Sequence, residues 1–523
     1  MDTENNRHPL NRRSFIRKAS CAALGTAALT NTIRDLRLIN AAMGQTGVTD
    51  YKALVCVFLA GGNDSNNLII PTLADEYAQY ALIRTPVLTI PNTDGGPATA
   101  LAISSANPDG HNYGVHPACP QLRNLFNAGK LATVFNVGTL VYPLTKAQYQ
   151  SGGVARPPQL FSHSDQVTQW QTSIPDQPAL TGWGGRCADL LDTLNPHSGN
   201  NAVLSLCVSL AGANTFEVGG VVQQYSVSTG GVVSIANNFG STAQQTGRQA
   251  ALNAILGIDA IQSNMLTNNY AMALQHSLAT GSALSQSLNS SLMPGYWTTI
   301  SNWSATATDA QVVTPNGGNT FTSSLMQQLR MVAKMIEAGY RAAGTSNGLG
   351  MKRQIFFCQV GGYDTHTGQT AAAGVTPTAA NVIIGAQANL LAEISQCFNA
   401  FQNAMGAIGA TYSDPDFEKR VTSFTSSDFG RTFPSNGLGS DHGWGSHHLV
   451  MGGGVNGGRT YGKYPTLEVG GPDDTSTGRW IPTTAVDQFA ATLAKWFGVD
   501  SSSMGTVFPN LKRFAAPDLG FMA

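Results

Sequence analysis

Two widely separated segments of the chain follow one grammar. YKALVCVFLAGGND (Tyr51–Asp64) and RQIFFCQVGGYD (Arg353–Asp364) each run through β-branched, aromatic and aliphatic residues into two glycines and an aspartate. The apolar run has the length and composition of a strand. The glycines let the backbone turn sharply, which leaves the acid at the strand's C-terminal edge. Open α/β sheets bind ligands at that edge. A third run, RVTSFTSSDFGRT (Arg420–Thr432), puts Asp428 and Arg431 just beyond its end, and HHLVMGGG (His447–Gly454) supplies a fourth. Helical periodicity separates these runs at residues 117–128, 323–343, 386–408 and 484–497. The alternation predicts an α/β fold with a mostly parallel central sheet and helices on both faces. Between residues 200 and 319 the pattern changes: FEVGGVVQQYSVSTGGVVSI (Phe216–Ile235) reads as a hairpin, and a polar helical stretch covers residues 243–292. This region is expected to form a cap or insertion beside the sheet of a single domain spanning residues 45–523.

Only 11% of residues are charged and the net charge is −1, so the chain has no basic field with which to gather nucleic acid or an anionic membrane surface. Nucleic-acid partners are not expected. NRRSFIRKAS (Asn11–Ser20) sets Arg12 and Arg13 before Ser14, Phe15 and Ile16, and small apolar residues follow in CAALGTAALT (Cys21–Thr30). This order resembles a twin-arginine export signal. The apolar stretch is too short to span a bilayer, and nothing later reads as a membrane span. The expectation is a signal peptide and linker over residues 1–44, cleaved near Ala41 to Gly44, and a periplasmic or extracellular protein delivered by the twin-arginine translocation machinery. An amphipathic first helix of the mature fold is the competing reading of the same residues. Six cysteines lie beyond the signal, an even number that permits disulfides without fixing their pairing. Cys56 and Cys358 fall inside apolar runs and read as small buried hydrophobes. There is no CxxC pair, so a thiolate zinc site is not expected.

The chain has ten histidines, and SDHGWGSHH (Ser440–His448) holds three of them beside an aspartate. Asp64, Asp364 with His366, Asp441 with His442, and then His447 all fall in glycine loops or at strand ends. Carboxylate oxygens mixed with imidazoles suit one or two divalent cations, Zn, Mn, Mg or Ca, held where strand ends converge. A lone Asp-His dipeptide is more simply a capped turn, but three clusters at three strand ends carry the metal reading together. Successive side chains of an extended segment point to opposite faces, so only one of His447 and His448 can face an ion, with His447 preferred. Gly443 and Gly445 are expected to supply backbone angles closed to residues with a Cβ. The loop is thus expected to bring Asp441, His442 and His447 onto an ion shared with Asp64.

LAGGNDSNNLIIP, VHPACPQLRNLFNAGKLATVFNVG, FSHSDQVTQWQT, TGWGGR, GGYDTH, SDFGRT, SDHGWGSHHLVMGGGVNGG and IPTTAVDQFAATLAKWFGV resemble, in this order, the exported bacterial family called domain of unknown function 1501. The resemblance covers nearly the whole chain beyond the signal. It implies a sulfatase-like fold distantly related to the alkaline phosphatase superfamily, whose members hydrolyse or transfer phosphate and sulfate esters at a one- or two-metal site. By that resemblance Asp64 is the ligand after the first strand, Asp364 and His366 form a second cluster, Asp441 and His442 a third, and His447 or His448 is the outlying histidine. The superfamily commonly spaces its second Asp and His four apart, whereas Asp364 and His366 are two apart.

The resemblance also implies a nucleophile at the start of a helix, where free N–H groups and the helix dipole stabilise an oxyanion. Ser162 in LFSHSDQVTQW occupies that place and reads equally as nucleophile or N-cap; Ser164 and Ser65 are rivals. CPQLR at Cys119 misplaces the proline of a formylglycine sulfatase motif. Arg431 is either a bidentate fork for the anionic group or an arginine paired with Asp428. The expected function is an exported metal-dependent hydrolase of phosphate or sulfate esters, acting on an anionic small molecule or an envelope polymer. The alternative is a non-catalytic exported surface or assembly protein that keeps the fold and a structural metal. A redox enzyme is disfavoured, since no dinucleotide or haem-attachment motif occurs.

Overall fold

The computed structural model describes residues 50–92, 99–196, 204–232, 242–256, 265–315, 318–371 and 383–523. The export signal expected over residues 1–44 lies outside them. Among the described residues nine strands build the central sheet: β1 (Lys52–Leu59), β2 (Leu131–Gly138), β3 (Cys207–Ser209), β4 (Tyr225–Ser226), β5 (Arg353–Val360), β6 (Val421–Ser427), β7 (Ser446–Met451), β8 (Arg459–Tyr461) and β9 (Thr484–Ala485). Their order is β8-β2-β7-β6-β1-β5-β3-β4, with β9 also paired to β2. Every pairing is parallel except the two made by β7, which runs antiparallel to β6 and to β2. The expected mostly parallel sheet is therefore present, with one reversed strand.

β1 lies between β5 and β6 and is buried on both sides, which is why it reads as an unbroken apolar run rather than an alternating one. On one face Val55, Val57 and Leu59 join Phe356 and Cys358 in the main core. The helices Ser324–Tyr340 and Ala386–Thr411 cover that face with their buried stripes. On the other face Phe357 and Phe424 meet Phe216, Trp183 and Phe489, which seats the helices Trp183–Leu191 and Val486–Phe497. Each fully buried aliphatic or aromatic side chain here contributes roughly 1.5–3 kcal/mol. All six cysteines among the described residues are free and buried.

Part of the stretch expected to be a cap belongs to the sheet itself, since β3 and β4 are its edge strands. The expected hairpin at Phe216–Ile235 is instead the parallel strand β4 followed by a tight turn that pairs Ser228 with Gly231; residues 233–235 lie outside the described residues. Two helices follow, Ala243–Leu256 and Met265–Asn289. None of the described helices is long and apolar enough to cross a membrane.

The strand directions decide where the functional loops gather. β1, β5 and β6 all end at one edge of the sheet, and the reversed strand β7 begins there. The connection from Asp428 to Gly445 is consequently a hairpin loop folded over that edge, with Gly430 N donating to Trp444 O at 3.0 Å, Gly443 N to Gly430 O at 2.7 Å, and Arg431 bridged to His442.

Candidate metal centre

Asp364, four residues past the end of β5, is the hub of the loops at this edge. His366 Nε2 lies 3.1 Å and His442 Nε2 3.3 Å from its Oδ1, and His163 Nε2 lies 3.6 Å from its Oδ2. His366 and His442 also approach each other Nε2 to Nε2 at 3.0 Å. One ligand atom from each of His163, Asp364 and His442 lies within 4.8 Å of the others.

The opposite nitrogen of every ring is anchored. His163 Nδ1 donates to Asp428 Oδ2 at 2.7 Å, His366 Nδ1 to Asp441 Oδ1 at 2.9 Å, and His442 Nδ1 to the Phe161 carbonyl at 2.8 Å. Such partners fix the tautomer and the ring orientation of metal-binding histidines. A ring whose only proton is on Nδ1 turns a lone pair at Nε2 toward the carboxylate of Asp364 and toward its neighbours. Facing lone pairs 3.0 Å apart repel unless a proton or a cation lies between them. The three separations among His366 Nε2, His442 Nε2 and Asp364 Oδ1, at 3.0, 3.1 and 3.3 Å, lie close to the spacing of about 3.3 Å between ligand atoms of a tetrahedral ion bonded at about 2.0 Å, and His163 approaches the other carboxylate oxygen at 3.6 Å. The donor set and its geometry fit a divalent ion.

Buried polar groups hold this cluster from beneath. Arg431 is fully buried, donates from Nη1 to Asp364 at 2.7 Å and from Nη2 to the Ser440 carbonyl. Burial tends to raise the Asp364 carboxyl, but the Arg431 hydrogen bond and charge, together with His366 and His163, outweigh it and hold the group below the usual carboxylate value. Asp441 is also held low, first by the Asn436 side chain and then by His366. Desolvation keeps His442 below the ordinary imidazole value, against the opposing pull of its bond to Phe161. Asp428 is nearly buried and accepts the Gly61 amide at 2.9 Å on its second oxygen. Gly61 is there by necessity: its φ is +118°, and a Cβ would sit 2.4 Å from the Asp364 amide nitrogen.

The expected site residues divide into two sets. Asp364, His366, Asp441 and His442 come together, joined by His163 and Asp428. Asp64 does not join them. It lies 2% exposed, ion-paired with Arg84 and bonded by Gln369 Nε2 at 2.5 Å. Gln369 in turn accepts from Ser440 Oγ at 2.6 Å, so Asp64 stabilises the layer under the loop instead of facing the cluster. His447 and His448 do point to opposite faces of β7, but both are in the core. His447 packs against Phe135 and Tyr464, with Nδ1 accepting the Asn136 amide at 3.1 Å; His448 packs against Trp170 and Phe489. The proposed sharing of an ion among Asp64, Asp441, His442 and His447 is thereby corrected. Arg431 is corrected as well, because both terminal nitrogens of its fork are engaged within the protein and its partner is Asp364, not Asp428. Gly443 and Gly445 are not in the left-handed region. A Cβ at Gly445 would fall 1.9 Å from Asn136 Oδ1 and one at Gly443 2.7 Å from the Gly430 carbonyl oxygen, so close approach of backbone is their reason. Ser162 takes the N-cap position of the helix His163–Thr172 without capping it; its hydroxyl donates to Asp165 Oδ2 at 2.5 Å.

A family model described as "Protein of unknown function (DUF1501)" matches residues 51–510. The chain belongs to the DUF1501 family. No curated protein matches it. Every member of the His163, Asp364, His366 and His442 cluster, and every group that anchors it, lies inside the matched span of this DUF1501 protein. His163, in FSHSDQ, is the member of the cluster that the sequence pattern alone did not single out. Its signal is scarcity, a histidine beside two serines at the start of a helix.

Proposed function

We propose that this DUF1501 protein is an exported, divalent-metal-dependent hydrolase of phosphate or sulfate esters. The observation that carries the reading is the convergence of three Nδ1-anchored imidazoles on the Asp364 carboxylate, open to solvent on one side, with His163 38%, His366 41% and Asp364 46% exposed. His163, Asp364, His366 and His442 would hold the ion. A divalent ion in such a place supplies Lewis acidity toward an ester oxygen and toward water. The chain's own residues do the rest. Asp428, Asp441 and the Phe161 carbonyl orient the rings, and Arg431 balances the charge of Asp364 from below. Ser162 stands next to His163 with its hydroxyl proton directed at Asp165, so Ser162→Ala distinguishes attack by that hydroxyl from attack by water. The resemblance of the sequence motifs to sulfatase-like proteins favours ester chemistry, and Arg12 and Arg13 ahead of a mild apolar stretch favour export through the twin-arginine route to the periplasm or beyond.

The test is metal analysis of natively exported protein, together with turnover of aryl phosphate and aryl sulfate. Expected are bound Zn or Mn, turnover that chelation abolishes and metal restores, and loss of metal from His163→Ala protein whose circular dichroism is unchanged. Protein that takes up no divalent ion would overturn the proposal. Bound metal without turnover of either ester supports the other reading, a non-catalytic exported surface or assembly protein in which the ion is structural.

A further inference from the structure

The cluster has a second cation beside it that none of the preceding chemistry uses. Arg479 lies over the ring of Phe161, its guanidinium carbon 4.2 Å from the ring centroid, and its Nε donates to the His442 carbonyl at 2.8 Å. It is half-buried, and among the described residues its two Nη groups have no hydrogen-bond partner. Arg431 cannot serve in the same way, because it is buried and both of its Nη groups are spent on Asp364 and Ser440.

Phe161 and His442 form one frame for both parts. The Phe161 carbonyl fixes the His442 ring toward Asp364, while the Phe161 ring supports Arg479. The His442 ring enters the cluster while its carbonyl holds Arg479 Nε. Phe161 does this from the left-handed region, at φ 73°, a conformation that costs an aromatic residue free energy and persists only where surrounding structure imposes it. Stacking and the Nε bond together hold the guanidinium plane, leaving the paired N–H edge free in the geometry that matches oxyanions bidentately.

We propose that Arg479 is the anion-binding half of this site and that its substrate is a phosphate or sulfate monoester. This rests on the metal-site reading above. Arg431 is paired with Asp364, Asp428 and Asp441 each carry a histidine, and Asp474 accepts the backbone N–H of Arg479, for two guanidiniums against four carboxylates and a net −2 with the histidines neutral. A divalent ion neutralises this, so the repulsion that would otherwise meet an anionic ligand is removed. Engaging both Nη groups while leaving an oxygen for the His/Asp cluster takes three unesterified oxygens. A monoester has them and a diester does not.

The experiment is calorimetric titration of inorganic phosphate into Mn-loaded wild type, Arg479→Ala and Arg479→Gln, with metal content measured on the same samples. Arg479→Gln keeps a donor for the His442 carbonyl and guards against local collapse. Both variants are expected to retain their metal and to bind phosphate about ten- to hundredfold more weakly, as the loss of hydrogen bonds to a charged group implies. Wild-type affinity in both metal-loaded variants would overturn the assignment of Arg479, and metal-loaded wild type that ignores phosphate would overturn the anionic substrate class. A wild type that takes up no metal is a different result, since it removes the metal reading itself.

Discussion

Asp428 accepts Nδ1–H of His163 at 2.7 Å, although 265 residues separate the two. The same carboxylate takes the Gly61 amide on its other oxygen, so one buried acid joins the end of β6, the turn after β1 and the start of the helix His163–Thr172.

Asp428→Asn should therefore leave the fold intact and weaken metal binding. An amide can present its NH₂ to His163 and release the tautomer that aims Nε2 at Asp364. Loss of such a partner lowers metal affinity about 10- to 100-fold. Competition with a chromophoric chelator measures this, and an unchanged dissociation constant would show that the His163 tautomer is not set by Asp428.

Gly61→Ala should damage the fold and the centre together. The substitution forces a Cβ to 2.4 Å from the Asp364 amide at a backbone angle closed to alanine. Strain of this kind costs about 1–3 kcal/mol. Denaturant titration reads the stability loss, and metal content of the surviving folded protein reads the displacement of Asp364.

Asp64→Asn should behave in the opposite way to His163→Ala. It leaves Arg84 buried opposite a neutral amide, and breaking a buried pair from one side costs about 3–5 kcal/mol. Stability should fall while the metal content of the folded fraction stays at the wild-type level. Metal loss without loss of stability would return Asp64 to the ligand set.

Stability should peak near neutral pH and fall on both sides. Desolvation holds buried His116, His447 and His448 down at about 3, so below the ordinary histidine value the unfolded chain binds protons that the folded one refuses. Each of these histidines then removes about 1.4 kcal/mol per pH unit on acidification between its unfolded and folded values. Burial pushes Glu217 up to about 8 and Asp487 up to about 7. Their contribution has the other sign: it is complete below the ordinary carboxylate values and is lost as pH rises from there to about 8 for Glu217 and about 7 for Asp487. Urea denaturation across pH should show Glu217→Gln flattening the alkaline limb and His448→Leu reducing the acid limb by one proton. Parallel curves for variants and wild type would contradict these assignments.

The main strands were legible because β1 is buried on both faces and carries a near-continuous apolar sequence, β5 has an apolar IFFC centre, and a glycine pair and an acid follow each of them. Strand direction was not legible: HHLVM reads the same in either sense, and only pairing to β6 and β2 reverses it. The centre was half legible for a related reason. Asp364, His366, Asp441 and His442 stand in loops with no competing use, whereas a histidine in a buried strand and one at a site look alike in sequence. His447 was assigned by proximity along the chain, yet it is five residues and one strand start away from His442 and belongs to the core. Asp64 has the same glycine-rich prelude as Asp364. What separates their roles is Arg84, whose approach to Asp64 no local pattern announces.

The strand order also sets when this chain can fold during synthesis. β2 finds all of its partners, β7, β8 and β9, in residues 446–485, and β1 pairs only with strands that begin at Arg353 and Val421. A ribosome adding about 5–20 residues per second needs about 15–60 s to carry the chain from the end of β2 to the start of β7. Throughout that interval β2 has no sheet to enter, and β1 has none until β5 has been made, so a nascent chain in this state needs a holdase or a slow encounter with other chains to stay clear of aggregation.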